Sequence, residues 1–572
     1  MAPNSLFSSS VSLSPLSLSH QLGNPIPCLI FRTHHKPTLI TCKTTDSDAQ
    51  RQSPIFEANA SIPNVELEGT GAAAMTRGQL FLERQQSMAA AALVLASEKK
   101  KKKGKKSNTG PKLSSAIACC YGCGAPLQTS EVDGPGYVNS ETYELKKKHR
   151  QLKTVLCGRC RLLSHGHMVT AVGGNGGYSG GKQFISAEEL REKLSHLRHE
   201  KALIVKLVDI VDFNGSFLTR IRDLAGANPI ILVVTKVDLL PKGTNFNCIG
   251  DWVVEATMKK KLNVLSVHLT SSKSLVGITG VASEIQREKK GRDVYILGSA
   301  NVGKSAFINA LLKMMAEKDP VAASAQKYKP IQSAVPGTTL GPIQIDAFLG
   351  GGKLFDTPGV HLHHRQAAVV HSEDLPALAP RSRLRGLSFP ATSHERNGEI
   401  NGNDLNGFTL FWGGLVRIDV LEVHPSTRLT FYGPKALQIH MVPTVEASDF
   451  YHRELGVLLT PPTGKQRDDN WAGLEIVHEL HIKVEDQNRP ACDVAISGLG
   501  WITVETINKL PEGSDLSNPE EYTEQLHLAV HVPKPVEIFV RPPIPVGKNG
   551  GEWYEYRDLT EKEEELRPKW YF

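Results

Sequence analysis

Two things are missing from the start of this chain. No apolar run approaches the roughly eighteen residues a helix needs to cross a bilayer, so integral membrane insertion is not expected and a soluble or peripheral protein is. No acidic residue occurs before Asp46. The opening stretch instead carries eight serines from Ser5 to Ser19, with Arg32, Lys36 and Lys43 as sparse positives. A Ser-rich, basic, acid-free start has the composition of an organelle transit peptide. Its apolar residues are too scattered for the core of a secretory signal. Residues 1–60 are therefore expected to be a transit segment, cut between Cys42 and about Ala60. The serine excess favours the chloroplast stroma, with the mitochondrion as the alternative. Such compartments are reducing, and structural disulfides are not expected there.

What the chain does have is length and a localised charge. Its 572 residues suit two or three domains plus tails. The formal net charge is +7, and the seven lysines Lys99 to Lys103, Lys105 and Lys106 account for all of it. Residues 61–115 read as a disordered linker whose lysine run makes a salt-sensitive arm for an RNA backbone. Within it, 76–96 has a helix-like, Ala-rich pattern.

Beyond the linker the pattern changes three times. Residues 116–170 hold clustered cysteines, followed by the glycine joint 173–177. From 184 to 365 short aliphatic runs alternate with helical patterns. Strands are expected at 202–209, 229–234, 262–269, 293–297 and 353–355, and helices at 186–197 and 305–318. That alternation predicts a parallel sheet covered by helices, an α/β fold. Residues 366–406 read as a variable loop rich in Asn, Gly, Ser and Pro. From 407 to 572 apolar residues recur with period two between turn signals, predicting a β-rich C-terminal domain.

The α/β region carries Gly298-Ser299-Ala300-Asn301-Val302-Gly303-Lys304-Ser305, a Gly-x4-Gly-Lys-Ser loop between an expected strand and an expected helix. In that context backbone N–H groups and the helix N-terminus form an anion nest for phosphates. Lys304 would reach the β- and γ-phosphates and Ser305 would ligate Mg2+.

The choice of base rests on Thr235-Lys236-Val237-Asp238, at the end of an apolar strand. A carboxylate at Asp238 can accept from guanine N1–H and N2–H2, which adenine cannot offer. The Lys236 stem can stack beside the base. Thr270-Ser271-Ser272 fits a second, guanine-supporting loop. After the phosphate loop come Thr338 and Thr339, either of which fits a switch threonine closing over Mg2+. Asp356 then fits the Mg2+-side aspartate, and Gly359 gives its N–H to the γ-phosphate. All the parts of a GTP site are present, with the guanine parts first. That order predicts a circularly permuted P-loop GTPase domain.

Five of the nine cysteines lie between positions 119 and 160. Cys120-x2-Cys123 and Cys157-x2-Cys160 make two knuckles able to hold one tetrahedral ion, and four thiolates suit structural Zn2+. A pair of redox couples is the weaker reading, because no βαβ context surrounds them.

Permuted order, a preceding cysteine cluster and Asp209-Ile210-Val211-Asp212-Phe213-Asn214-Gly215-Ser216 resemble the YqeH family of ribosome-assembly GTPases. Cys119 to Gly124 and the terminal Arg567-Pro568-Lys569-Trp570-Tyr571-Phe572 add to the likeness. The resemblance implies GTP hydrolysis tied to rRNA or the small ribosomal subunit of the organelle, and an RNA-binding C-terminal domain. In the latter, Trp412, Arg417, Phe431, Tyr432, Lys435, Lys534, Phe539 and Arg541 interleave aromatics with cations, as RNA contact would need. Residues of the core would look the same.

Two departures stand out. Thr235 stands where many GTPases have Asn, which predicts modest guanine affinity. Val360 follows Gly359 where Ras-like enzymes have Gln, and it cannot orient water, which predicts slow intrinsic turnover. Asn301 resembles a K+ ligand of related GTPases, which predicts K+-stimulated hydrolysis. His361, His363 and His364 are expected on the switch loop. Two other readings compete: a nucleotide-gated scaffold with negligible turnover, and a nitric-oxide-related oxidoreductase. The latter has neither a haem-thiolate signature nor a dinucleotide fingerprint.

Overall fold

A computed structural model describes residues 118–165, 185–218, 220–332, 337–390, 405–464, 471–486, 488–506 and 525–572, plus the backbone of Cys42–Thr44. The rest of the expected transit segment, the lysine run, the helix-like 76–96 and the glycine joint 173–177 lie outside the described residues. So does the later part of the expected variable loop.

The central body is a seven-stranded sheet. Its strands are β1 (Ala202–Asp209), β2 (Ile230–Thr235), β3 (Ser266–Leu269), β4 (Asp293–Leu297), β5 (Ile343–Ile345) and β6 (Leu354–Asp356), joined by Lys569–Tyr571. The spatial order is Lys569–Tyr571, β3, β2, β1, β4, β6, β5. Every pairing is parallel except β5 with β6. β1 and β2 are buried at every position, as continuous aliphatic runs covered on both faces must be. Helix α1 (Phe246–Lys259) packs Ile249, Trp252 and Val253 into the core on one face. Helices α2 (Ile278–Lys289) and α3 (Lys304–Met315) pack Ile285, Phe307 and Leu311 into the core on the other.

β3 starts later than its apolar pattern suggests, because Leu262 and Val264 are buried from the loop before it. β5 escapes the pattern entirely, being three residues that alternate buried, exposed, buried. The registers matter for the site. Asp209 pairs with Thr235, and Ile296 with Asp356. The carboxyl ends of β1, β2, β4 and β6 therefore share one edge, where open α/β sheets bind ligands.

The β-rich part forms two sheets. One runs Cys42–Thr44, Ile476–Lys483, Gln525–Val532, Val416–Glu422, Phe408–Trp412, Ile439–Pro443. The other runs Ile538–Arg541, Cys492–Ile496, Gly500–Thr506, Thr427–Tyr432, Leu387–Phe389. Leu410, Ile418 and Leu528 of the first sheet share one apolar cluster with Leu429, Val494 and Val504 of the second. Period-two patterning thus buries the facing sides.

Two expected boundaries move. Residues 366–390 are built rather than loop-like: Gln366–Val369 and Leu375–Leu378 are helical, and Leu387–Phe389 joins the second β-sheet. At the far end, Ile544 and Val546 are buried in the α/β core. Trp570 lies over α1 so closely that a Cβ on Gly250 would sit 2.3 Å from its ring. The last residues thus belong to the α/β body, because apolar contacts, not chain position, decide where a segment packs.

Candidate functional site

The phosphate loop turns between β4 and α3 as its sequence context predicts. Gly303 has φ 89° and Asn301 φ 62°, and this left-handed backbone turns the loop sharply. The Lys304 ammonium is buried and donates to the carbonyls of Ser299 at 2.7 Å and Gly298 at 3.2 Å. Burial pushes its pKa down to about 8, while the nearby Asp356 pulls it up. A phosphate would give this ammonium the counter-charge that its surroundings supply only in part.

Opposite it stands Asp356, fully buried at the end of β6. Its Oδ2 accepts from the Ser305 hydroxyl at 3.1 Å, and Thr339 also bonds the carboxylate. Its other oxygen, Oδ1, is buried without a hydrogen-bond partner. Burial raises the carboxyl to about 6 and Lys304 opposes that rise. An orphaned carboxylate oxygen beside two hydroxyls fits a hard divalent cation such as Mg2+. Of the two candidate threonines, Thr339 is the one bonded to Asp356. Gly359 completes the wall: a Cβ there would meet Ala300 Cα and Lys304 Nζ, each at 2.8 Å. Only glycine leaves room for a phosphate at this point.

The two loops expected to read guanine sit beside it. The Thr235 hydroxyl donates to the Val302 carbonyl at 2.7 Å and to Val208 at 3.1 Å. Threonine thus ties the base loop to the phosphate loop, the bridge expected of an asparagine amide. Lys236 adopts φ 64° and donates to Asp209 Oδ2 at 2.5 Å and to the Asn301 carbonyl at 2.9 Å. Val237 N–H donates to the Thr270 carbonyl at 3.2 Å, joining the two guanine loops. Thr270 and Ser271 are buried, and their hydroxyls bond Val234 O and Ser274 N. They shape the loop, whereas Asp238 and Ser272 line the open cleft with Lys273 and Asn309.

Val360 does not face this cavity. Its N–H donates to Gly298 O at 3.2 Å, its carbonyl accepts from Ala300 N at 2.8 Å, and its side chain is in the core. The sequence reading missed Arg365, which lines the cavity with Lys304 and Thr339. Its Nη1 donates to Ala300 O at 2.6 Å and its Nε to Asp212 Oδ2 at 2.8 Å. No short motif marks this arginine; the signal was its nearness to Gly359 along the chain. Of the three histidines, His361 lines the phosphate cavity. His364 contacts Gly215 O and the Phe539 ring, away from it.

The cysteine prediction holds geometrically. The sulfurs of Cys120, Cys123, Cys157 and Cys160 lie within 4.8 Å of one another, and all four residues are buried. None forms a disulfide. Gly122 N–H and Cys157 N–H point at Cys120 Sγ, at 3.4 and 3.3 Å. Such donors stabilise a thiolate, and the donor set fits Zn2+. Cys119 is not among the four, and burial raises its thiol pKa.

Sequence gave no hint of what this module touches. Leu340 and Gly341 N–H groups donate to Cys123 O at 2.7 and 3.2 Å. Arg159 donates to Gly337 O at 3.0 Å and Thr338 O at 3.3 Å. A Cβ on Gly124 would sit 2.2 Å from Gly341 O. The knuckles therefore grip residues 337–341 directly.

The aromatic–basic interleaving in the β domain mostly dissolves. Trp412 and Phe431 are core, Tyr432 stacks on Trp501, and Arg541 is buried against Asp493. Lys435 and Lys534 remain exposed.

Comparison with known proteins agrees with this geometry. Residues 293–379 match a family described as 50S ribosome-binding GTPase, and residues 426–512 match the YqeH-like C-terminal family. The chain is 68% identical to the NO-associated protein 1, chloroplastic/mitochondrial, of Arabidopsis thaliana, over 96% of each chain. A protein of Oryza sativa subsp. japonica, named as a candidate nitric oxide synthase, is 68% identical over 88% of this chain and 92% of its own. The uncharacterized protein YqeH of Bacillus subtilis (strain 168) is 31% identical over 74% of this chain and 98% of its own.

Proposed function

Because the chain belongs to the YqeH family of GTPases, we propose that it is a circularly permuted GTPase acting as a timer in small-subunit ribosome assembly in the plastid, and hence in plastid translation. The observation that carries this is the order of the parts. Thr235–Asp238 and Thr270–Ser272 precede the phosphate loop, while Thr339, Asp356 and Gly359 follow it, yet the strands that carry them end at one edge of the parallel sheet, and two neighbouring cavities there share Lys236 and Gly303. A permuted chain keeps its site because strand ends meet in space whatever their connection.

In this reading Asp238 selects guanine and Lys304 holds the phosphates. Ser305, Thr339 and Asp356 hold Mg2+, which neutralises charge between the β- and γ-phosphates. Asn301 adds a K+ site. The four cysteines hold a structural zinc. The buried Val360 supports slow intrinsic turnover, so that GTP favours an rRNA-bound state and hydrolysis ends it. Exposed Lys435, Lys534 and the lysine arm would contact RNA phosphates, rather than aromatics stacking on bases. The name of the Arabidopsis relative supports a plastid or mitochondrial address. Site residues that serve a phosphate and a guanine support hydrolysis over an oxidoreductase role.

The test is co-sedimentation of wild type and Lys304→Ala with organelle ribosomal subunits under GTP, GDP and a non-hydrolysable analogue. Binding of the wild type to the small subunit in the GTP-like state is expected. The matched family's description names the large subunit, so recovery with that subunit instead would overturn the small-subunit assignment. Single-turnover rates with and without subunits separate a timer from a scaffold that never turns over usefully. Equal rates in KCl and NaCl at matched ionic strength would remove the K+ site.

A further inference from the structure

We propose that Arg365 is a catalytic residue: the fixed cation, built into this chain, that stabilises charge during γ-phosphoryl transfer. Hydrolysis joins a water oxygen to Pγ and breaks the bond from Pγ to the β–γ bridging oxygen. That oxygen keeps the electron pair as part of GDP, and the water's protons leave with phosphate and solvent. Negative charge builds on the leaving oxygen and the γ-oxygens, and a cation placed there lowers the barrier.

Three observations place Arg365 in that role. It lines the same cavity as Lys304, Thr339 and Gly359. Its Nη1 donates to the carbonyl of Ala300, the phosphate-loop residue that Gly359 packs against. Finally, Val360, at the position that would orient water, is turned into the core. The guanidinium is also pre-positioned. Asp212 holds Nε at 2.8 Å, and the Gly498 N–H bonds Asp212 from behind. Gln366 N–H donates to Ser497 O at 2.9 Å, fixing the backbone just after Arg365. Asp212 and the Ala300 carbonyl take Nε and Nη1, and a guanidinium fork carries a third nitrogen, Nη2, that can serve a phosphate oxygen. Only 8% of Arg365 is exposed, so little water screens its charge.

Ser497 and Gly498 lie in the turn between strands Cys492–Ile496 and Gly500–Thr506 of the β-rich domain. A Cβ on Gly498 would meet Arg365 Cβ and Gln366 N at 3.1 Å each. Gly498 is thus a positioning residue, through which the β-rich domain sets the arginine.

The bland alternative is a purely structural pair. Arg365→Gln with Asp212→Asn keeps a neutral hydrogen-bonded pair and leaves no buried charge uncompensated. Arg365→Lys keeps the charge without the fork and guards against misfolding of the pair. The double variant should lose at least about 1000-fold in kcat, at the lower edge of what an arginine finger supplies. Its dissociation constants for GTP and GDP should stay within about threefold. It should also fail to trap a fluorescent GDP with aluminium fluoride, a transition-state mimic that a structural role would not affect. Arg365→Lys should fall by at least about tenfold with the same binding. Hydrolysis within about threefold of wild type in the double variant, or retained trapping, overturns the proposal. So does a loss of nucleotide affinity that matches the loss of rate. Running each variant in KCl and in NaCl separates this cation from a K+ site: if KCl alone restores the double variant, the charge comes from the ion and Arg365 is not its source.

Discussion

Replacing Arg159 by methionine should weaken GTP binding and leave GDP binding almost untouched. Arg159 sits between Cys157 and Cys160, half-buried, and donates to Gly337 O at 3.0 Å and Thr338 O at 3.3 Å. Methionine keeps the apolar stem and removes both bonds. A hydrogen bond from a charged donor is worth about 1.5–3 kcal/mol when desolvated. Partial exposure lowers that figure, and the two bonds from Leu340 and Gly341 to Cys123 O remain. About 1–2 kcal/mol is then lost from the ordered switch segment, or about 5–30-fold in affinity. Thr339 lies in this segment and reaches Asp356 only while the segment is held. The loss therefore falls on the state that needs Thr339 over Mg2+, which is GTP. Fluorescence titration with labelled GTP and GDP in excess Mg2+ reads the ratio of the two dissociation constants. An unchanged ratio would refute the coupling between the cysteine module and the switch.

Other perturbations reach other parts. Asp238→Asn should weaken GTP binding about 100-fold and improve binding of the xanthine nucleotide, because a buried-edge hydrogen-bond pair is lost; a loss below tenfold in a competition assay would argue that Asp238 does not read the base. Metal analysis of reduced protein should find about one zinc, and chelation or Cys157→Ser should lower the unfolding temperature by several degrees; less than half an equivalent of zinc would count against the site. Burial pushes His268 in β3 down to about 4, with Arg287 adding to it. The folded state therefore keeps His268 neutral while the unfolded chain protonates near 6.5. Stability should fall as pH drops from 6.5 to 4, by about 3 kcal/mol in all. His268→Gln should flatten that slope in urea melts at pH 7 and 5, and parallel slopes in the two proteins would contradict the assignment.

The phosphate-loop, strand-end Lys-x-Asp and Cys-x2-Cys motifs stand out in the sequence because each is local. A glycine pattern, a strand-end Lys-x-Asp and two Cys-x2-Cys pairs specify chemistry within a few residues. The α/β alternation was equally plain in β1 and β2, where aliphatic runs are buried at every position. What sequence could not show was made by distant packing. Thr235 read only as a departure from asparagine, and the fold brings its hydroxyl to Val302 O at 2.7 Å. Arg365 sits in no motif, and only the fold brings Asp212 and Ala300 O around it. Trp412 and Phe431 read equally as RNA platform or core, and only the facing sheet decides for core.

The position of Lys569–Tyr571 beside β3 also sets an order of assembly. β3 leaves the ribosome long before the strand that flanks it, with the whole β-rich domain made in between. Until then β3 is an open sheet edge, a template for pairing with other chains. Trp570 on α1 and the stack of Tyr571 on His268 lock that seal. A chain in which these residues are undocked therefore presents β3 as an aggregation-prone edge. Those few residues act as the closing stitch of the nucleotide-binding body, far in sequence from every residue that touches the nucleotide.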